Sequence, residues 1–211
     1  MAYCTTAEVR LLTNLTTSDV SDDDMGNIIP FAADKLNHDI QVKVSRERID
    51  YIDGTRENTI DGSNTTFYVK NWRDYIGDGD DDADVDTSDI TVYQVDSDGT
   101  ETELTVITIT HDDGSFVLDS APSNGVTLYV TYHTSPVDMS TPHSLVKLAS
   151  VQLVAALCYA KINIGKAPKF KAGNVQILRD VDAYHKFMKL YMETLDQIRK
   201  LADIVEAERL I

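Results

Sequence analysis

The sequence predicts an α+β protein: a small α-helical bundle with a long C-terminal helix, interrupted by an inserted all-β domain of sandwich or small-barrel type. Three observations predict it. Apolar residues recur at helical spacing at both ends of the chain. The middle alternates with period two and is punctuated by turn dipeptides. The charge divides along the same lines. From Asp74 to Val146 there are sixteen Asp or Glu and no Lys or Arg, while the rest of the chain is neutral, giving a net charge of −16. The expected division is 1–47 as the first part of the helical core, 48–136 as an inserted acidic β domain, and 137–211 as the second part of the core.

The first element is a short helix opened by the capping box Thr5-Thr6-Ala7-Glu8, with Val9, Leu11 and Leu12 as its apolar run. Ser21 starts a second helix. Asp22, Asp23 and Asp24 stand in its first turn, where the helix dipole favours acids. Met25, Ile28, Ile29, Ala32, Leu36 and Ile40 follow on one face. Pro30 falls inside this pattern, and a kink is expected there because proline removes one backbone donor.

The character changes near Ser45. Strands are expected at Arg48–Ile52, Thr65–Lys70, Ile90–Val95, Leu104–Thr110, Ser115–Leu118 and Val126–His133, all rich in Val, Ile, Thr, Tyr and Phe. Asp61-Gly62, Asp98-Gly99, Asp113-Gly114 and Asn124-Gly125 are hairpin-turn signatures. Helical periodicity returns with a helix capped by Ser140 or Thr141, carrying Pro142 in its first turn and Leu145, Leu148, Ala149, Gln152, Leu153, Ala156, Leu157 and Ala160 beyond. Its few charges predict burial on several sides. Residues 164–174, with Gly165, Pro168 and Gly173, read as a loop. A final helix is expected from about Val175 to the end. Ile177, Val181, Tyr184, Met188, Tyr191, Leu195, Ile198, Ala202 and Val205 form a heptad seam in it, roughly 50 Å long. The preceding helix spans only about 30 Å, so Leu195, Ile198, Leu201, Ile204 and Val205 are expected to need cover from another molecule.

Composition excludes several classes. No stretch reaches the roughly 18 consecutive apolar residues of a membrane-spanning helix. The N-terminus lacks a signal pattern, and Cys4 and Cys158 do not make a disulfide framework, so reduced thiols in a cytoplasmically folded protein are expected. A chain of this charge does not bind nucleic acid over most of its surface. No nucleophile elbow, phosphate loop or dinucleotide fingerprint is present, and His38, His111, His133, His143 and His185 are scattered, so no enzymatic activity and no cofactor is expected.

Two stretches have chemistry to offer. Residues 78–89 place Asp78, Asp80, Asp82, Asp86 and Asp89 at positions 1, 3, 5, 9 and 12 of an EF-hand-type frame, a pattern of oxygen ligands for calcium or magnesium. Against it, Ala83 stands where the sharp turn needs glycine, and strand follows where a helix should. The alternative is a solvated, mutually repelling loop. The other stretch is basic: Lys166, Lys169 and Lys171 around Phe170, suited to phosphate or to an acidic protein face, with a solvated interhelical loop as the alternative.

The opening Thr6-Ala7-Glu8-Val9-Arg10-Leu11-Leu12, then Ser21-Asp22-Asp23-Asp24-Met25 with Ile28-Ile29 and Ala32-Ala33, resembles the start of tailed-phage head–tail connector (adaptor) proteins. The apolar helix at 145–162 and the long terminal helix are similar to the rest of that family's core, about 110 residues in all. The β segment resembles modules common in virion proteins, through Asn64-Thr65-Thr66-Phe67-Tyr68-Val69, Ile90-Thr91-Val92-Tyr93 and Gly114-Ser115-Phe116-Val117-Leu118. The chain departs from compact members by its acidic insert and by Pro30. The resemblance implies a structural virion protein of the neck, assembled in the host cytoplasm. It would form a homo-oligomeric ring, commonly dodecameric, that binds the portal and offers a platform to a tail-side stopper or tail completion protein. Genomic DNA would pass through the channel without specific binding, and no membrane is involved. A cation-dependent β binding or decoration module on a helical scaffold is the alternative.

Overall fold

The computed structural model describes residues 2–49, 52–53, 56–70, 75–80, 84–139, 141, 143–164, 169–172, 175–178 and 182–209; for 52–53, 56–57, 169–172, 175–178 and 202–209 it describes the backbone alone. Among the described residues the fold is mixed α+β, with four α-helices and antiparallel sheets. The chain divides into two units. One comprises Met1–Asp39 with Pro142–Lys200, the other Ile40–Thr141 with Leu201–Ile211.

In the helical unit, α1 (Thr6–Thr13) begins at the expected capping box. The Thr5 side chain accepts from the Glu8 N–H, and the Glu8 carboxylate accepts from the Thr5 N–H at 2.7 Å. Asn14 ends it in the left-handed conformation at φ 57°. Arg10 then organises the turn that follows. Its guanidinium donates to the Leu15 and Val20 carbonyls and pairs with Asp22 at the start of α2 (Asp22–Ile40). α2 runs through Pro30. The carbonyl that loses its donor there is Gly26, and both residues lie on the exposed side, where water can replace the bond.

α3 (Ser144–Asn163) is enclosed, as its low charge predicts: Val146, Ala149, Val151, Leu153, Val154, Ala155, Ala156 and Cys158 are all buried. Its cap differs from expectation. His143 is the cap, its Nδ1 accepting from the Leu145 N–H at 3.2 Å, whereas Thr141 instead donates its N–H to Asp138; Ser140 and Pro142 lie outside the described residues. Tyr159 on α3 donates to the Thr13 carbonyl at the end of α1, and stacks on Phe187 of α4 (Ala183–Arg209) at 5.6 Å.

The final helix starts later than the seam implied. Val175–Leu178 is strand β12, paired with β11 (Lys169–Ala172) in a two-stranded antiparallel ribbon. The β-branched Val and Ile, following a Gly-Asn pair of hairpin type, favour strand over helix there. Ile177 therefore leaves the seam, and Val181 lies outside the described residues. Leu195 and Ile198 are 1% and 0% exposed, so both are core of the helical unit and not uncovered interface. α3 is not the only cover of α4. The end of α2 also lies along α4: Tyr191 donates to the Asp39 carboxylate at 2.6 Å, and Arg199 donates to the Asp39 carbonyl at 3.0 Å. Thr194 joins α4 to α3 through a buried bond to Gln152 at 2.9 Å.

Among the described residues every strand pairing of the second unit is antiparallel. β1 (Val42–Arg48) and β10 (Thr127–Ser135) pair along most of their length, from Val42 opposite Thr134 to Arg48 opposite Tyr129. β6 (Thr91–Val95) lies on the other side of β10 and β7 (Glu101–Leu104) beyond it; the short β5 (Tyr75–Ile76) also pairs with β10. A three-stranded sheet has β4 (Thr66–Tyr68), β9 (Ser115–Leu118) and β8 (Val106–Thr110) in that order. β2 (Ile52–Asp53) and β3 (Arg56–Glu57) form a small separate hairpin. Phe67, Ile76, Val92, Phe116, Leu118, Leu128, Val130 and Tyr132 make a common core.

Two strand expectations change. The first strand lies at Val42–Arg48 instead of Arg48–Ile52, so the unit begins before residue 48. The predicted strand Leu104–Thr110 breaks at Thr105, whose carbonyl accepts from the Asp119 N–H, and it serves one sheet before the break and the other after it. The expected turns form: Gly62, Gly99, Gly114 and Gly125 all have positive φ, a conformation open to glycine at little cost. One residue more in β1 than in β10 between Val44 and Glu47 makes a bulge, with Arg46 at φ 54°. The bulge sends the Arg46 side chain over the Tyr129 ring, 5.0 Å from its centre, to a two-bond pair with Glu101 at 2.8 and 3.0 Å.

Replacing Tyr191 with Phe removes one of the donors that hold the half-buried Asp39 carboxylate. Urea unfolding of the helical transition should show a loss of about 1–2 kcal/mol, with the β-unit transition unmoved.

Candidate functional site

Of the five acids at ligand positions of the 78–89 frame, three come together. Ligand oxygens of Asp78, Asp80 and Asp89 lie within 4.8 Å of one another, with Asp78 and Asp89 buried and Asp80 exposed. Close backbone approaches hold this segment. At Gly77 a Cβ would sit 2.3 Å from the Gln41 Oε1, and at Gly79 one would sit 2.5 Å from the His133 Nδ1, so neither position accepts a side chain without displacing a neighbour. Gly77 also donates its N–H to the His133 carbonyl at 2.8 Å.

Asp89 ends a 3-10 turn, Thr87–Asp89, and ties the segment to it. Its Oδ1 accepts from the Gly79 N–H at 2.5 Å and its Oδ2 from the Asp86 N–H at 2.8 Å. Asp86 is not part of the cluster. Its carboxylate caps the 3-10 turn, accepting from the Ser88 N–H and hydroxyl, both at 2.7 Å. Local capping wins because the donors are two residues away and need no chain closure. Asp82 lies outside the described residues. The geometry is therefore not an EF-hand: a 3-10 turn leads into β6, and no α-helix flanks the loop among the described residues.

The electrostatics single out Asp89. Burial first, and then the charges of Asp78 and Asp80, raise its carboxyl to about 6, against the opposing effect of the two backbone bonds. Chemically the cluster has two ways to relieve its repulsion. Asp89 can hold a proton, or a hard cation can sit among the three carboxylates: oxygens 2.3–2.6 Å from one ion lie up to about 5 Å apart, which the observed spacing meets.

In the helical unit the structure reveals a feature of a different kind. An open groove of about 580 Å³ runs between α2 and α3, lined by Asp24, Asn27, Ile28, Phe31, Leu157, Ala160, Lys161 and Ile164. Phe31 is 62% and Ile164 77% exposed, and Leu11 on α1 reaches 85%. An Asp24–Lys161 pair at 2.5 Å bridges the two helices. The helical pattern of α2 placed Ile28 on its apolar face but gave no signal that Phe31 stays in solvent. Leu201 is half-buried; Ile204 and Val205 lie on α4 with side chains outside the described residues. Lys166 is outside the described residues, and Lys169 and Lys171 occupy alternate positions of β11.

Compared with known proteins, the chain matches no protein-family model and no curated protein.

Because the folded Asp89 is raised above its ordinary value near 3.8, protonation favours the folded state. Its contribution is absent above pH 6, grows as pH falls through 6, and is complete below the unfolded value. In chelator-containing buffer the melting temperature of the β unit should rise from pH 7.5 to pH 5, and Asp89→Asn should remove that part of the slope. Calcium competes with the proton, so a shift of the midpoint to lower pH on adding calcium is the measurement that tells an ion-holding cluster from a proton-holding one.

Proposed function

We propose that this chain is a structural protein of a tailed-virus virion, a head–tail connector in which a β domain is inserted into a helical bundle. Copies assemble into a ring, dodecameric by resemblance, beneath the portal in the neck. The ring extends the DNA channel and carries a tail-side stopper or tail completion protein. It performs no catalysis.

The observation that carries this reading is the apolar surface that the helical unit leaves in water. Leu11, Phe31 and Ile164 are large side chains at 85%, 62% and 77% exposure, and Phe31 and Ile164 flank one groove. Each such side chain buried gains about 1.5–3 kcal/mol, and exposed apolar patches mark surfaces made for partners. The order of helices supports it further: capped α1, acid-led α2, enclosed α3 and long α4 follow the sequence pattern on which the resemblance rests. The charge suits a conduit. Sixteen acids and no Lys or Arg between Asp74 and Val146 repel phosphate, so DNA slides past instead of binding.

The test is assembly. Native mass measurement and negative-stain imaging, with and without portal protein, should show closed rings or portal-bound rings. Phe31→Glu combined with Ile164→Asp should leave the helical content intact, since both side chains are already exposed, and should abolish ring formation. A wild-type chain that stays monomeric alone and ignores portal protein overturns the reading.

A further inference from the structure

We propose that the ribbon β11–β12 of one copy adds to the edge strand β7 of a second copy, with Lys169 and Lys171 opposite Glu101 and Glu103. The inference rests on the assembly reading above and names one contact of that assembly.

Both elements are incomplete as they stand. The ribbon pairs with no third strand among the described residues, and a lone two-stranded ribbon is marginal in water. β7 is the last strand of the five-stranded sheet, and its outer side pairs with no strand among the described residues. An edge of this kind presents backbone donors and acceptors to any strand that fits. The two strands match in length, Lys169–Ala172 against Glu101–Leu104.

Charge selects the pairing. Residues 165–180 contain Lys166, Lys169, Lys171 and Arg179 against Asp180 alone. β7 carries Glu101 and Glu103, both exposed, and the turn before it adds Asp96 and Asp98. The two lysines are two residues apart on β11, and the two glutamates are two residues apart on β7. In a common sheet each pair falls on one face, so both lysines can stand opposite glutamates. Two copies of β7 side by side would bring four carboxylates together, so the edge rejects itself and accepts a basic strand. The exposed Arg46–Glu101 pair is no obstacle, because such pairs are weak and exchange readily. The remaining register positions place Phe170 opposite Ile177 and Ala172 opposite Val175. Since each copy offers one ribbon and one edge, the contact is head-to-tail and propagates around a ring.

The experiment is a charge swap read by sedimentation velocity on the full chain. One variant carries Glu101→Lys and Glu103→Lys, the other Lys169→Glu and Lys171→Glu; circular dichroism checks that both fold. Wild type should associate, less so at 0.5 M salt. Each variant alone should associate about tenfold more weakly or worse, and an equimolar mixture should recover association, because each lysine ribbon then meets a glutamate edge on the other molecule. Variants that assemble like wild type overturn this contact while leaving the assembly reading intact. A mixture that stays dissociated overturns it. A wild type that never associates overturns both. Loss of duplex-DNA binding by the second variant, with self-association unchanged, would assign the ribbon to phosphate and likewise overturn the proposal.

Discussion

The pairing of β1 with β10 is the constraint on which the second unit depends. These are its first and last long strands, and Val42 stands opposite Thr134. The chain therefore comes in from α2 and leaves towards α3 through neighbouring positions one strand apart, about 5 Å. All the β structure between is a closed excursion. β10 then has β1 on one side and both β6 and β5 on the other, so the same strand is the spine of the sheet. Its alternate residues Leu128, Val130 and Tyr132 are buried in the core shared with Phe67 and Phe116 of the second sheet.

In the helical unit the comparable anchor is Asp39. It receives Lys35 from its own helix, Tyr191 from α4, and at its carbonyl Arg199. Burial works against the ionised carboxyl, but the Lys35 and Tyr191 bonds outweigh it and hold it below the ordinary range. The Tyr191 phenol, buried and already donating, is pushed well up. The last residue of this unit before the β excursion is thus fixed from three directions, which keeps the end of α2 from fraying where the chain turns away.

What could be read from the sequence was local. The Thr5–Glu8 box, the Asp-Gly and Asn-Gly turns, the alternation of Val126 to Tyr132 and the enclosed α3 all declare themselves within a few residues. What could not be read depends on partners far away in sequence. β1 carries Lys43, Ser45, Arg46, Glu47 and Arg48, and its bulge breaks the period, so it looks like loop; only β10, some 85 residues on, makes it a strand. Leu195 and Ile198 looked uncovered because nothing local shows α2 alongside α4. The acid cluster was legible in part. Asp78, Asp80 and Asp89 do converge, but a linear ligand frame cannot reveal that Asp86 is consumed by a cap. The exposure of Phe31 had no sequence signal, since an apolar residue on a helix reads as core; Ile164 follows the last residue of α3, in a stretch that reads as loop.

The outer strand of the three-stranded sheet, β8, reads Val-Ile-Thr-Ile-Thr: five β-branched residues without a charge, with Ile107 exposed. Edges in natural sheets commonly carry a lysine or a proline as a guard, and this one has neither. The 3-10 turn Thr87–Asp89 lies beside it, and the carboxylates spread through the same unit supply the rest of its guard. That makes the colloidal behaviour of the protein conditional. Near its isoelectric point of about 4.5, or in salt that shortens the reach of charge to a few ångströms, the long-range repulsion disappears while the sticky edge remains. Solubility in this chain is thus an electrostatic property of the whole unit and not of the strand that needs protecting.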